Sequence, residues 1–218
     1  MQKNKIAYFI TGTDTDVGKT YIASALVRYF VQQGQTAIGM KPIAAGCEKI
    51  NGALRNADVG ILLAASNLAA RLEDVNPYAF EPAIAPHIAA EQAGVTVSLS
   101  KIKHAFDALQ SQADALIVEG AGGFRVPINR EQTMADLAVQ LNLPVIMVVG
   151  IRLGCINHAL MTAGSIKAAG LDLVGWVANR IEPDMPALEE NVQTLKAMIK
   201  APCIADVNWG AVPKFSGI

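Results

Sequence analysis

A chain of 218 residues has the length of one large α/β unit and is too short for two full catalytic domains. Eighteen Lys and Arg against nineteen Asp and Glu leave a formal charge of −1, which offers no electrostatic surplus to hold nucleic acid. A hydrophobic fraction of 52% with 17% charged residues specifies a sizeable buried core and excludes a disordered chain.

The N-terminal Met1-Gln2-Lys3-Asn4-Lys5 is basic, but a strand-like run and a glycine loop follow where a signal peptide would carry its apolar region. A cytoplasmic location is therefore expected. Ile6 to Thr11 is short, apolar and rich in β-formers, and Gly12 opens a turn before the helical periodicity of Lys19 to Gln33. Gly34 stands where a helix ends, and Thr36 to Met40 reads as a second strand. Asn76 to Pro86 holds three of the ten prolines and predicts an irregular excursion over the surface. Leu99 to Ser111 places Ile102, Phe106 and Leu109 on one helical stripe, and Met134 to Leu141 does the same with Met134, Leu137, Ala138 and Leu141. Asp114 to Val118, Leu143 to Val149 and Leu171 to Ala178 are near-continuous apolar runs, the pattern of strands covered on both faces. Ala187 to Lys200 adds a helix with Leu188, Val192, Leu195 and Ile199 on one side, and Cys203 to Val207 a weaker strand.

This alternation predicts an α/β fold: three layers, a mostly parallel open sheet with helices on both faces, and one domain spanning residues 1–218. The apolar runs fall far short of the roughly 20 residues that cross a bilayer, so no membrane partner is expected. Cys47, Cys155 and Cys203 are odd in number and lack C-x-x-C spacing, which predicts three free thiols.

The strongest chemical signal is Gly12-Thr13-Asp14-Thr15-Asp16-Val17-Gly18-Lys19-Thr20, set between a strand and a helix. Backbone amides from Gly18 to Thr20 and the helix dipole suit phosphate, Lys19 supplies a charge for the β- and γ-phosphates, and the Thr20 hydroxyl is the expected Mg²⁺ ligand. Five residues separate the two glycines instead of the usual four, a longer variant of the phosphate loop. Glu119 ends the buried run Leu116-Ile117-Val118, at the same carboxyl edge of the sheet where ligands collect. Lys41 follows the second strand and reaches that edge too. Asp58, in Leu54-Arg55-Asn56-Ala57-Asp58, stands next to the start of a short apolar helix, where capping and metal ligation are both open readings.

Together with Asn76-Pro77-Tyr78, Pro86-His87-Ile88, Val118-Glu119-Gly120-Ala121-Gly122-Gly123, Leu153-Gly154-Cys155-Ile156-Asn157-His158-Ala159 and Gly175-Trp176-Val177-Ala178-Asn179, these motifs resemble the dethiobiotin synthetase family over nearly the whole chain. The resemblance implies a P-loop NTPase-like fold, a homodimer with a shared active site, and ATP, CO₂ and 7,8-diaminopelargonic acid as substrates. It implies a nucleotide site of Asp16, Val17, Gly18, Lys19, Thr20, Tyr21, Asp58, Glu119, Gly120, Ala121, Gly122, Asn179 and Arg180, with Mg²⁺ on Thr20, Asp58 and Glu119. By the same resemblance Lys19, Lys41 and Thr15 would carry the phosphoryl and carbamate chemistry, and Thr15, Lys41 and Ala45 would meet the substrate. The resemblance also implies that Gly154, Cys155, Ile156 and Asn157 of the partner subunit would receive its carboxylate tail at a helix start. Ala45 stands where the family often has Ser, Asp16 where Glu is commoner, Asn191 where some relatives carry Tyr and Asn208 where many carry Pro.

Two rival readings share the phosphate loop. An amidotransferase acting on a corrin ring normally adds a glutaminase domain, for which the length after Asn179 leaves no room. A partitioning-type switch ATPase usually carries a lysine early in the loop, where this chain has Thr13 and Asp14. Its phosphate release would ignore the diamine, which separates the two classes.

Overall fold

The computed structural model describes residues 5–182 and 184–218; of the basic N-terminal stretch, Met1 to Asn4 lie outside them. Strand β1 (Ile6–Gly12) leads through the glycine loop into α1 (Lys19–Gln32), followed by β2 (Ala37–Met40), β3 (Ile43–Ala44), β4 (Glu48–Ile50) and β5 (Ala53–Arg55). Helices α2 (Ala57–Ala65) and α3 (Leu72–Val75), strand β6 (Tyr78–Ala79) and helices α4 (Pro86–Gln92) and α5 (Leu99–Gln112) come next. The second half runs β7 (Ala115–Gly123), α6 (Met134–Leu141), β8 (Val145–Gly150), α7 (Cys155–Ala168), β9 (Leu173–Asn179), α8 (Leu188–Met198) and β10 (Cys203–Val207).

Six strands form one parallel sheet in the order β10-β9-β8-β1-β7-β2. Because β1 lies inside, the loop that follows it opens between β7 and β8, where the strand order reverses and α/β sheets form ligand crevices. Side chains alternate between two cores with the period of a strand. Phe9, Leu116, Val118, Val145 and Met147 face one side with α5, α6 and α8, while Ile10, Ile117, Ile146 and Val148 face α1 and α2. Both faces are covered, which is why the apolar runs are unbroken.

The excursion at Asn76 to Pro86 departs from its expected place on the surface. Pro77, Tyr78 and Phe80 are buried, and β6 pairs in parallel with β3, so only the stretch from Glu81 to Ile84 is largely outside. Strand β7 runs five residues beyond Val118, because pairing with β1 resumes at Gly123 opposite Gly12 after an irregularity. The β4–β5 hairpin turns at Asn51 and Gly52, both with positive φ of 50° and 81°; Asn-Gly is the sequence signal for that turn. Cys47, Cys155 and Cys203 are all free. No helix among the described residues is long and apolar enough to cross a membrane.

Candidate active site

Gly12 is enclosed: an added Cβ would lie 2.7 Å from the Val17 side chain and 2.9 Å from the Asp14 carbonyl. Gly18 has φ 88°, and a Cβ there would sit 2.2 Å from Asn179 Nδ2, so only glycine closes the loop onto the end of β9. The Asn179 amide in turn donates to the Val17 carbonyl at 2.8 Å. With the loop held from both sides, α1 begins at Lys19 with its first amides free of helical partners.

The sheet register then brings four side chains together. Glu119 pairs in register with Ile10 and is 1% exposed. Its Oε1 accepts from Thr20 Oγ1 at 2.7 Å and from Lys41 Nζ at 2.9 Å. Lys41 arrives there because Met40 is opposite Val118, which puts the next residue beside Glu119. The Lys41 ammonium also pairs with Asp58. Capping does not explain Asp58, because Asn56 is the N-cap: its side-chain oxygen accepts from the Asp58 and Val59 amides at 3.0 and 3.3 Å. The Asp58 carboxylate is thereby left to the site. Neither Lys41 nor Glu119 is a solvated surface charge; Lys41 is 6% exposed and Lys19 7%.

The two lysines differ electrostatically. Burial pushes Lys19 down, with Glu119 partly offsetting it and Lys41 adding to the fall. Burial opposes the charge of Lys41 as well, but Glu119 and Asp58 outweigh it and the net shift is upward. Lys41 is therefore a fixed ammonium, and Lys19, whose Nζ donates to the Asp14 carbonyl at 3.0 Å, has a neutral partner that an anion can displace.

A cavity of about 870 Å³ opens over this cluster. Of the site residues expected from the sequence, Thr15, Asp16, Gly18, Lys19, Thr20, Lys41, Ala45, Asp58, Glu119, Ala121 and Gly122 line it. Val17 and Gly120 lie beneath as buried supports, Gly120 against the Phe9 ring. Tyr21 is outside the lining, its hydroxyl donating to the Ala211 carbonyl at 2.6 Å. Arg180 is also outside: its guanidinium pairs with Glu189 and Asp206, which holds it strongly protonated. Gly154 to Asn157 form the start of α7, away from this lining, with Cys155 buried and Asn157 exposed.

Two parts of the site are not evident from the sequence. Ile43, Ala83, Ile84, Ala85, Pro86 and Val126 complete the cavity wall; the proline at the first position of α4 was the one available signal. The other is an ion pair between Asp14 in the loop and Arg152 before α7, residues 138 apart in sequence that no spacing rule connects.

A family model described as an AAA domain matches residues 7–212. The chain is 49% identical over 211 residues to an ATP-dependent dethiobiotin synthetase BioD of Aromatoleum aromaticum, covering 97% of this chain and 92% of that protein. A protein of the same name from Cellvibrio japonicus is 50% identical over 213 residues, covering 98% and 91%. Among solved structures, a MinC:MinD cell division protein complex of Aquifex aeolicus is similar at TM-score 0.57 and 15% identity, over 92% of this chain and 80% of that one. The signal recognition particle receptor FtsY of Elizabethkingia anophelis with GDP is similar at TM-score 0.53 and 15% identity; this chain is covered completely but spans only 62% of that chain. These structural likenesses establish the P-loop NTPase fold.

Proposed function

The chain belongs to the ATP-dependent dethiobiotin synthetase family, and we propose on that premise that it closes the ureido ring of dethiobiotin from 7,8-diaminopelargonic acid, CO₂ and ATP, releasing ADP and phosphate. The observation that carries this reading is the convergence of Lys19, Lys41, Thr20 and Glu119 on one cavity at the end of the phosphate loop.

One amine of the substrate adds to CO₂ and loses a proton, giving a carbamate. A carbamate oxygen attacks the γ-phosphorus of ATP while the bond to the ADP oxygen breaks. The second amine then attacks the carbamate carbon, and phosphate leaves with the former carbamate oxygen. Lys19 exchanges the Asp14 carbonyl for phosphate oxygens, and Lys41 holds its charge beside the carbamate and the transferring phosphoryl group. Thr15 and Ala45 meet the substrate, Ala45 offering a methyl group and no hydroxyl. Placement and charge neutralisation are the catalytic contributions that phosphoryl transfer needs.

The residues fit Mg²⁺. Glu119 Oε2 is buried without a hydrogen-bond partner, and Thr20, Asp58 and Glu119 present a hydroxyl and two carboxylates. Mg²⁺ in phosphate-transfer sites takes one or two carboxylates and fills its remaining positions with phosphate oxygens and water, so this small donor set is sufficient. When bound, Mg²⁺ supplies charge neutralisation on the phosphates.

Asn179, Arg180, Tyr21 and Gly120 complete the nucleotide side of the proposal. Asn179 does so from a position already fixed against the loop. A homodimer that shares its sites is supported by the outward side of α7, where Asn157, Met161, Gly164 and Ala168 are exposed and Leu153 just before it is 88% exposed. The start of that helix in the partner subunit would take the carboxylate tail. We further infer that residues 1–218 act as one domain, in the cytoplasm. The test is phosphate release from ATP with and without diaminopelargonic acid and bicarbonate, with dethiobiotin identified by mass. Release that ignores the diamine would reject the ligase reading in favour of a switch ATPase.

A further inference from the structure

The phosphate loop contains an acid close to where a triphosphate must bind. The Asp14 carbonyl accepts from Lys19 Nζ at 3.0 Å, so the residue touches the very ammonium that nucleotide phosphates must recruit. A bare carboxylate on that residue would repel them. It is not bare: Oδ2 pairs with Arg152, and Oδ1 accepts from the Thr15 amide at 2.8 Å. Both oxygens are engaged and the charge is matched.

Arg152 is brought there by the sheet. Strand β8 is the neighbour of β1, the Thr13 amide donates to the Val148 carbonyl at 3.0 Å, and the Ile151 amide is tied to the Asn179 carbonyl at 2.8 Å. The backbone on either side of the ion pair is thus anchored, and the pair sits at the loop mouth with side-chain exposures of 35% and 45%. An ion pair this open contributes little to stability. Its value lies in what it does to a third charge.

We propose that Arg152 is a positioning residue for nucleotide binding: by neutralising and fixing Asp14, it removes a repulsion from the phosphate site and holds the loop in the form that receives β- and γ-phosphates. This rests on the reading of the loop as an ATP site but not on the ring-closing chemistry, so it is measured by equilibrium binding of ATP and AMP. Removing Arg152 weakens a triphosphate more than a monophosphate, whereas general damage to the loop weakens both.

The experiment titrates ATP and AMP into the full chain and into Arg152→Ala, Arg152→Lys, Asp14→Asn and the double variant that combines Asp14→Asn with Arg152→Ala by calorimetry, with thermal unfolding as the check on folding. Arg152→Ala is expected to weaken ATP about tenfold, equivalent to ~1.4 kcal/mol, and AMP by less than about threefold, because AMP lacks the outer phosphates. Arg152→Lys retains most of the ATP affinity. The decisive comparison is the double variant: with the carboxylate gone, loss of Arg152 should change ATP affinity by no more than about twofold relative to Asp14→Asn. A full tenfold loss persisting when Asp14→Asn is already present, or equal weakening of ATP and AMP, overturns the proposal. So does an unchanged ATP affinity in Arg152→Ala. If Arg152→Ala unfolds, Arg152→Gln, which keeps the length of the side chain, takes its place in the cycle. ATP binding that is intact without diamine-dependent turnover would fail the proposed reaction and leave this inference standing.

Discussion

Replacing Glu119 by Gln tests the centre of the site with almost no change of shape. The carboxylate is 1% exposed and serves two donors through Oε1, Thr20 at 2.7 Å and Lys41 at 2.9 Å. Breaking a buried ion pair by removing one partner costs about 3–5 kcal/mol. Two features lower that figure. Asp58 still pairs with Lys41, though its side chain is 39% exposed, and a glutamine oxygen can still accept one of the two hydrogen bonds. We therefore expect a loss of ~2 kcal/mol, which at roughly 2–4 °C per kcal/mol for a chain of this size lowers Tm by about 4–8 °C. The effect on turnover should be larger, about 10²-fold or more, since a charge placed for phosphoryl transfer is worth ~3 kcal/mol in a water-excluded site. Thermal unfolding and the Mg²⁺ dependence of phosphate release measure the two quantities separately. An unchanged Tm would refute the ion-pair reasoning, and an unchanged Mg²⁺ requirement would remove Glu119 from the metal shell.

Gly18→Ala should cost ATP affinity about tenfold or more, from a left-handed backbone strain of ~1–2 kcal/mol and a clash with Asn179 Nδ2 at 2.2 Å; parental binding in this variant would refute the geometry. Asn157→Asp, placing an anion beside the proposed tail pocket, should raise the diamine KM far more than the ATP KM, and mixing it with an inactive Lys19→Ala chain should regenerate activity. Equal KM effects, or no recovery after demonstrated subunit exchange, would reject a shared site. Asp206 is held below the ordinary carboxylate range mainly by its hydrogen bonds from Arg180, with burial opposing. Its stabilisation is present above an unfolded value of about 3.9 and is lost as pH falls through the lower folded value. With the side chain 27% exposed, Asp206→Asn should cost about 1 kcal/mol or less at pH 7 and flatten the acid limb of the unfolding profile; an acid limb identical to the parent would exclude this pair as its source.

Sequence patterns made the central sheet legible because each strand is covered on both faces and so reads as an unbroken apolar run, as in Leu143 to Val149 against the observed β8. The placement of the phosphate loop, Lys41 and Glu119 at one sheet edge was equally legible, since each stands at the carboxyl end of a strand or the start of a helix, whereas Asp58 reads as well as a cap until Asn56 is seen to fill that place. What composition hid was burial in a proline-rich segment: Tyr78 and Phe80 pack into the core while their neighbours look like loop. Asp14 with Arg152, and Arg180 with Glu189 and Asp206, depend on three-dimensional meeting of distant charges, and any of several acids would have served on spacing alone.

Asn56 is a single peg under two parts of the cavity. Its oxygen starts the helix that delivers Asp58, while its Nδ2 donates to the Ala45 carbonyl at 3.2 Å on the substrate wall. The chain between these two points, residues 46–55, is mostly the β4–β5 hairpin, whose tip at Asn51 and Gly52 is fully outside. The hairpin is thus clamped at its base and free at its end. Extra residues at the tip add only the slow logarithmic cost of a longer loop, about 0.6 kcal/mol per doubling of length. A small reporter module or affinity handle spliced between Asn51 and Gly52 would ride on the hairpin while the peg keeps Ala45 and Asp58 in register, which makes this turn a place to build on the enzyme without disturbing its chemistry.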